Sequence, residues 1–397
     1  MSRKLFTYQG TDLHFGPNAY PLKSAVKNYQ QPIWLYDLAI IEERVRWIQS
    51  WPQLGRLHYA MKANFNLDIL KLFKKLNCGL DVVSVGEMKH ALKAGFTGAD
   101  FIFSGVAKSR AELAWAIENE IYQINVESFS ELKRIIDIAN QQKKIVSVDL
   151  RVNPEVDAET HPSIATALKD SKFGLDFPAA QLAIDLIAQN KCVQLKALSF
   201  HLGSQIMNVK VFEKALTIMK PFYQKAKSIC PELDRFDLGG GLGIDYKNAD
   251  SAIDQQRWDE LAALFSRELK AMNAFLLLEM GRFLVARSSV LIARVEIIKE
   301  VLNGKKFMIL DAGMSLLMRP ALYQAYHEIL PIYKRGEETE TYDIVGPICE
   351  STDVLMLNKK FSKVEEGDFV AICDTGAYGA AMTSRYNLRE ESAEIFI

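Results

Sequence analysis

Lys62 closes the run Leu57-His58-Tyr59-Ala60-Met61-Lys62 and is followed at once by Ala63 and Asn64. A lysine on an apolar strand is costly to keep charged, so burial there lowers its pKa and frees a neutral amine. Such an amine can form a Schiff base with a carbonyl cofactor. The plainer reading is a strand-end lysine that snorkels to solvent, so other residues must decide. Gly239-Gly240-Gly241-Leu242-Gly243 has four glycines in five residues, more than a turn needs. Only glycine lets backbone N–H groups crowd an oxyanion without a Cβ in the way. The spacing is not that of a dinucleotide-binding fingerprint.

Further candidates stand at the ends of other apolar runs. His201, in His201-Leu202-Gly203-Ser204-Gln205, could lay its imidazole face on an aromatic ring, or could be a satisfied core histidine. Glu279 ends the run Phe275-Leu276-Leu277-Leu278, where an unpaired carboxylate is expensive. Its partner could be a protonated pyridine nitrogen, or Arg282 in a structural ion pair. Cys349 differs from Cys78, Cys192, Cys230 and Cys373 in being followed by Glu350 and Asp353 in a turn-like stretch. Tyr378 lies between Gly376-Ala377 and Gly379, as if placed for contact. Arg319 and Tyr323 fall on one side of a helical turn and outline a carboxylate clamp.

These residues need elements to hold them. Short apolar runs at residues 57–62, 79–83, 100–103, 122–126, 145–152, 195–201, 235–238 and 275–279 alternate with helical patterns, among them 67–76, 85–94, 110–118, 130–141 and 211–229. Eight strand–helix repeats make a (β/α)8 TIM-like barrel, with a doubly wound open sheet as the alternative. Near-continuous apolar strands suit parallel pairing with both faces covered. In such a barrel Lys62, His201, the glycine run and Glu279 fall at the carboxyl ends of the first, sixth, seventh and eighth strands, where barrels place their chemistry. After residue 283 the rhythm becomes one of strands, at 289–301, 306–310, 341–345, 353–357, 368–373 and 393–397. We therefore expect a barrel over residues 36–282. A C-terminal β-sandwich or β-barrel domain takes 283–397, with residues 1–35 packed into it.

Composition narrows the class. Apolar residues make up 49% and charged residues 24%, with a net charge of −1, which favours neither nucleic acid nor an acidic membrane surface. The apolar stretch 274–295 carries Glu279, Arg282, Arg287 and Arg294, so it does not read as a membrane span. Met1–Tyr8 lacks the apolar core of a signal peptide. Five cysteines scattered without metal spacing point to a reducing cytoplasm and to no bound metal.

Taken in order, Tyr59-Ala60-Met61-Lys62-Ala63-Asn64, His201-Leu202-Gly203-Ser204-Gln205, the glycine run, Glu279-Met280-Gly281-Arg282, Cys349-Glu350-Ser351 and Gly376-Ala377-Tyr378-Gly379 resemble the fold type III pyridoxal-phosphate decarboxylases, whose fold is alanine racemase-like. His161-Pro162 with Lys172-Phe173-Gly174, Asp311-Ala312-Gly313-Met314 with Arg319–Tyr323, and the Cys-Glu-Ser triplet resemble the branch that acts on meso-diaminopimelate. The resemblance implies a pyridoxal 5'-phosphate cofactor held on Lys62 as a Schiff base. His201 would stack on its ring and Glu279 would pair with its pyridine nitrogen. Ser204, Gly240, Gly241, Gly281, Arg282 and Tyr378 would lie about the cofactor, the glycine run and Ser204 at its phosphate. Arg282, Arg319, Tyr323 and Tyr378 would bind the substrate, with Arg282, Arg319 and Tyr323 gripping its distal carboxylate. Glu350 would take the distal ammonium, and Cys349 would return a proton to the carbon that loses CO2. Cys349 and Glu350 would come from a second subunit, making the active unit a homodimer. The product would be L-lysine, the end of lysine biosynthesis.

Three positions depart from the family pattern. Met280 replaces a usual proline and is expected to loosen the turn that presents Arg282. Ala167 replaces a usual glycine, and Ser315-Leu316 replaces a usual Asn-Asp near the substrate segments. Rival readings are a decarboxylase of the same fold acting on a polyamine-type or carrier-bound amino acid, a racemase of that fold, and a catalytically silent homologue that acts by binding. The racemases lack the Cys349-Glu350 turn, and silent homologues typically lose the lysine or the cysteine, both present here.

Overall fold

The computed structural model describes residues 4–157, 171–270, 272–389 and 391–397. They divide into two compact units: Val45–Gly243 with Gln256–Phe283, and Met1–Arg44 with Ile244–Gln255 and Leu284–Ile397. The loop motif at His161-Pro162 and the departure at Ala167 lie outside the described residues.

Eight strands of the first unit are β1 (Leu54–Ala60), β2 (Gly79–Val82), β3 (Phe101–Phe103), β4 (Gln123–Val126), β5 (Val146–Arg151), β6 (Val193–Ser199), β7 (Arg235–Asp237) and β8 (Phe275–Met280). They pair in parallel in chain order, and β8 returns to β1, closing a barrel and excluding the open sheet. Helices follow the strands at Leu67–Lys75, Val85–Leu92, Arg110–Glu118, Phe129–Gln142, Phe177–Ala188, Lys210–Ile229 and Ser251–Leu269. Five of them begin on a side chain that accepts a hydrogen bond from the first turn: Asn66, Ser84, Ser109, Ser128 and Asp176. Each cap satisfies an otherwise orphaned N–H and stops the loop above the barrel mouth at a set place.

Two sequence expectations need correction. Lys62 does not end β1, nor does His201 end β6, which stops at Ser199 and leaves His201 in the loop after it. β1 stops at Ala60, and Lys62 occupies a 3-10 turn, Met61–Ala63, closed by Asn64 N donating to the Met61 carbonyl at 3.1 Å. The barrel strands are also not simply apolar. Asp81, Asn125, Asp149, Ser199, Asp237 and Glu279 are all buried on them.

In the second unit an eight-stranded mixed sheet runs in the order Ile329–Pro331, Phe369–Ile372, Ser289–Glu300, Lys306–Leu310, Thr339–Val345, Val354–Ser362. Ile33–Tyr36 pairs with both Ser289–Glu300 and Ala393–Phe396. A smaller sheet, Phe6–Gln9, Asp12–Phe15 and Tyr20–Pro21, contributes Leu13 and Phe15 to one core with Leu35, Val290, Ile292 and Ala371 of the larger sheet, so two sheets pack face to face. Met280, the departure from proline, ends β8 in register with Tyr59 and is buried. Among the described residues no helix is long and apolar enough to cross a membrane.

Candidate active site

At the carboxyl ends of the barrel strands one pocket is lined by Lys62, Asp81, Asn125, Arg151, His201 and Glu279, with Ser104, Ser199 and Phe200 completing its wall. The Lys62 amine donates to Asp81 Oδ2 at 3.0 Å. Its side chain is 40% exposed. The amine is therefore not desolvated as its apolar neighbours suggested, because the 3-10 turn lifts it off the strand and beside a carboxylate. Glu279 does not turn to Arg282. Its Oε1 accepts from Asn125 Nδ2 at 2.9 Å, while Arg282 donates to Ser204 Oγ from Nε at 3.2 Å and Nη2 at 3.1 Å.

With Asp149 and Asp237 buried on the strands beside the pocket, acids outnumber cations around it, and the electrostatics follow. Burial raises the Glu279 carboxyl well above its ordinary range, and neighbouring Asp237 and Asp81 add to the shift. Asp237 is raised by burial first, although the Gly239 N–H that it accepts at 2.8 Å pulls the other way. Asp149 is raised well above its ordinary range by burial and by Asp237, while Ser199 Oγ donates to it. The described structure thus packs carboxyl groups whose charged form burial disfavours by more than Lys62 and Arg151 restore. His201 moves the other way: burial, then the positive charges of Arg151 and Lys62, depress its pKa far below the usual imidazole value. It is a neutral ring, and its Nδ1 accepts from Gly240 N at 3.4 Å.

The glycine run lies where its backbone can approach the neighbouring loops. Gly241 has φ +97°, and a Cβ there would come within 2.3 Å of the Gly203 carbonyl. A Cβ on Gly240 would reach the Glu279 carbonyl at 2.0 Å. Any side chain would push the glycine run off the loop that carries Ser204 and the strand that carries Glu279. Gly281, before Arg282, is likewise enclosed by Ala60 and Ala63.

This donor set fits pyridoxal phosphate. Asp81 Oδ1 is buried without a hydrogen-bond partner, and the Asp237–Glu279 carboxyl pair lacks a cation. A ring nitrogen bearing a proton supplies the missing cation. The neutral His201 face suits an aromatic ring, and the glycine run with Ser204 and Arg282 suits a phosphate.

The remaining candidates belong to the second unit. Arg319 and Tyr323 lie on the short helix Arg319–Tyr323; Arg319 is buried and Tyr323 half-buried. Cys349 and Glu350 are exposed in the turn between Thr339–Val345 and Val354–Ser362. Buried Asp353 organises that turn, accepting from Ile348 N at 2.7 Å and Met314 N at 2.6 Å. Tyr386 OH donates to Glu350 Oε1, and Cys349 N donates to Asn387 Oδ1 at 3.3 Å. Tyr378 is half-buried with φ +56°, and the Gly376 N–H before it donates to the Ala286 carbonyl at 3.0 Å. The other four cysteines are free thiols as well, three of them buried.

Sequence reading missed Asp81, Asn125, Asp149, Arg151 and Asp237. The signal was present: each is a polar residue on a short, largely buried strand, alone in Gly-Leu-Asp-Val of β2 and alternating with apolar residues in β4, β5 and β7. In a closed barrel an inward position at the carboxyl end is a pocket position, so the polar residues of each strand were worth collecting.

A closed barrel with a lysine in the turn after its first strand and a buried glutamate in the same pocket has the fold and site of a class, the pyridoxal-dependent decarboxylases. A family model described as "Pyridoxal-dependent decarboxylase, pyridoxal binding domain" matches residues 38–286. Diaminopimelate decarboxylase of Aquifex aeolicus is 36% identical over 95% of this chain and 89% of its own length. That of Bacteroides thetaiotaomicron is 38% identical over 92% and 95%. The crystal structure of diaminopimelate decarboxylase from Helicobacter pylori complexed with L-lysine superposes with a TM-score of 0.86 at 35% identity, covering 95% of this chain and 94% of that one. The chain belongs to the diaminopimelate decarboxylase family.

Proposed function

We propose that this protein decarboxylates meso-2,6-diaminopimelate to L-lysine and CO2 with pyridoxal 5'-phosphate as cofactor. The observation that carries the reading is the Lys62 amine and the buried, proton-holding Glu279 carboxyl in one pocket at the carboxyl ends of a closed parallel barrel. Lys62 would hold the cofactor's carbonyl, His201 its ring face, and Glu279 its ring nitrogen. Ser204, Gly240, Gly241, Gly281 and Arg282 would hold its phosphate end, with Tyr378 beside them. When bound, the cofactor supplies an electron sink for the carbon that loses CO2.

The chain's own groups do the rest. Asp81 holds the Lys62 amine in place through its carboxylate. Glu279 offers its carboxyl where no other cation competes for it. Arg282, Arg319, Tyr323 and Tyr378 bind the substrate. Arg282, Arg319 and Tyr323 grip the distal carboxylate and Glu350 the distal ammonium, so one end of the molecule is read while the other reacts. The Cys349 thiol delivers a proton to the carbon from which CO2 departs. Exposure of Cys349 and Glu350 supports a homodimer in which each subunit lends this turn to the other's site. The five free cysteines suit a reducing cytoplasm.

Purified protein incubated with pyridoxal phosphate and meso-diaminopimelate should release CO2 and L-lysine, and the Lys62→Ala variant should not. A wild-type rate no higher than that of Lys62→Ala rejects the proposal. A panel of ornithine, arginine, lysine and carboxylated polyamines separates it from other decarboxylases of this fold. For the shared site, mixing inactive Lys62→Ala with inactive Cys349→Ala should restore about one quarter of wild-type activity through mixed dimers. No recovery after subunit exchange would remove the partner-derived cysteine from the mechanism.

A further inference from the structure

We infer that His327 is a positioning residue that sets the plane of the Arg319 guanidinium and so the grip on the substrate's distal carboxylate; the inference rests on the substrate role proposed above for Arg319. After the helix Arg319–Tyr323 the chain turns at Gln324, which has φ +52°, and brings His327 back beneath the arginine. His327 is 1% exposed. Its Nδ1 lies 2.8 Å from the Cys373 carbonyl oxygen, and its Nε2 lies 2.7 Å from Arg319 Nη1. A carbonyl only accepts and a guanidinium only donates. One protonation state satisfies both contacts: the proton on Nδ1 and a lone pair on Nε2. An imidazolium would point a second N–H at a group that has only N–H to offer.

The histidine is itself anchored. Cys373 N donates to the Glu328 carbonyl at 2.8 Å, and the next pair in that ladder is Ile329 with Ile372. The Cys373 carbonyl is therefore held by strand pairing, and His327 inherits that rigidity. The Tyr246 ring lies 4.6 Å from the Arg319 guanidinium carbon and meets the His327 ring edge-on at 5.2 Å. One edge of the fork is thus held by a lone pair and one face by a ring.

The choice of a neutral acceptor has a consequence. A carboxylate beside Arg319 would hold it as firmly, but would discharge it and compete with the ligand for the same N–H groups. A neutral imidazole orients the guanidinium and leaves its charge for the incoming carboxylate. L-Lysine keeps that distal carboxylate, so product binding should report on the same contact.

The test compares holoenzymes carrying His327→Gln and His327→Asn. Glutamine can place an oxygen near the Nε2 position and accept from Arg319. Asparagine can reach the Cys373 carbonyl but not the guanidinium. Loss of a hydrogen bond to a charged group corresponds to about a 10- to 100-fold change in an equilibrium constant. His327→Asn should therefore raise both the KM for meso-diaminopimelate and the Kd for L-lysine about 10- to 100-fold. Its kcat and cofactor absorbance should stay within about twofold, and His327→Gln should stay within about threefold on every measure. Unchanged KM and Kd in His327→Asn, while Arg319→Ala raises both, overturns the role of His327 alone. Equal losses of kcat, cofactor and melting temperature in both variants show a merely structural histidine and also overturn it. If Arg319→Ala leaves both constants unchanged, the substrate role of Arg319 falls first and the inference with it. Should His327→Asn not accumulate folded, Tyr246→Leu removes the supporting ring instead, and unchanged constants there overturn the cradle.

Discussion

Two clusters of buried charge in this protein differ in how closely their acids are matched by cations. In the second unit Arg44, Asp254, Arg287 and Asp374 are fully buried, two guanidiniums against two carboxylates. Arg44 Nη2 donates to Asp254 Oδ2 at 2.5 Å, Arg287 Nε to the same oxygen at 2.9 Å, and Arg287 Nη1 to Asp374 Oδ2 at 2.7 Å. Desolvation opposes each charge there: it raises Asp374 and lowers Arg44, yet the neighbouring guanidiniums hold Asp254 below its ordinary range. Arg287 is also held charged, its Nη2 donating to the Asp245 and Asn248 carbonyls at 2.8 and 2.9 Å. At and beneath the barrel pocket the buried acids Asp81, Asp149, Asp237 and Glu279 have Lys62 and Arg151 near them, and burial raises Asp149, Asp237 and Glu279. A balanced cluster ties chain segments together, whereas an unbalanced one waits for a ligand that brings the missing charge.

The sharpest break between the two is chemical. Lys62→Ala should abolish CO2 release while leaving the melting temperature nearly unchanged, since its side chain is partly exposed. Glu279→Gln should lower kcat about 10²- to 10⁴-fold, the range of a lost proton-transfer or charge-stabilising partner. It should not destabilise the cofactor-free protein at pH 8, because an amide removes the buried acid. An active Glu279→Gln enzyme would mean that this carboxyl is only packing.

The balanced cluster should respond the other way. Arg287→Met leaves Asp254 and Asp374 facing one remaining guanidinium, and breaking a buried pair costs about 3–5 kcal/mol. Denaturant melts of the cofactor-free protein measure this directly. A loss below about 1 kcal/mol would equate this network with an exposed ion pair and erase the contrast.

Much of this frame was legible in the chain. The eight apolar runs predict the barrel strands to within one to three residues, because parallel strands covered on both faces have few other readings. The Lys62, His201, Glu279 and glycine-run positions stand out because each interrupts such a run at its end. Asp81, Asn125, Asp149 and Asp237 were harder to see. Polar residues in strands of three to six residues give too short an alternation to stand out, and their inward direction depends on a register set by neighbouring strands. The Arg44–Asp254–Arg287–Asp374 network could not be read locally at all, since Arg44 and Asp254 are 210 residues apart. Lys62 was misplaced by two residues because a 3-10 turn and the end of a strand share the same local composition.

Asp149 refines the contrast through pH. Its carboxyl keeps a proton in the folded barrel, driven first by burial. In the unfolded chain an aspartate gives up its proton near pH 4. Between that value and the raised folded one, only the unfolded state loses the proton, so stability falls as pH rises. Asp149→Asn cannot ionise and should remove that slope. The variant should gain more stability over wild type at pH 8 than at pH 5, the gap widening by up to about 1.4 kcal/mol per pH unit while only the unfolded chain ionises. An equal effect at both pH values would place the cost in packing and not in the proton.

The smallest effect belongs to the surface end of the comparison. Tyr386 OH donates to Glu350 Oε1, and the bond raises the Tyr386 pKa because the phenol must stay protonated to donate beside a carboxylate. Both residues are exposed, so water can replace the hydroxyl when it is removed. Tyr386→Phe should therefore raise the KM for meso-diaminopimelate only about two- to fivefold, with kcat and stability unchanged. If a partner subunit buries this turn, water loses access and the same change should cost more than tenfold. Measuring the variant at protein concentrations above and below the dimer dissociation constant separates the two cases. A KM effect that grows with dimer content places Glu350 in a shared, dry site; one that stays small at every concentration places it in solvent and removes it from the substrate's distal ammonium.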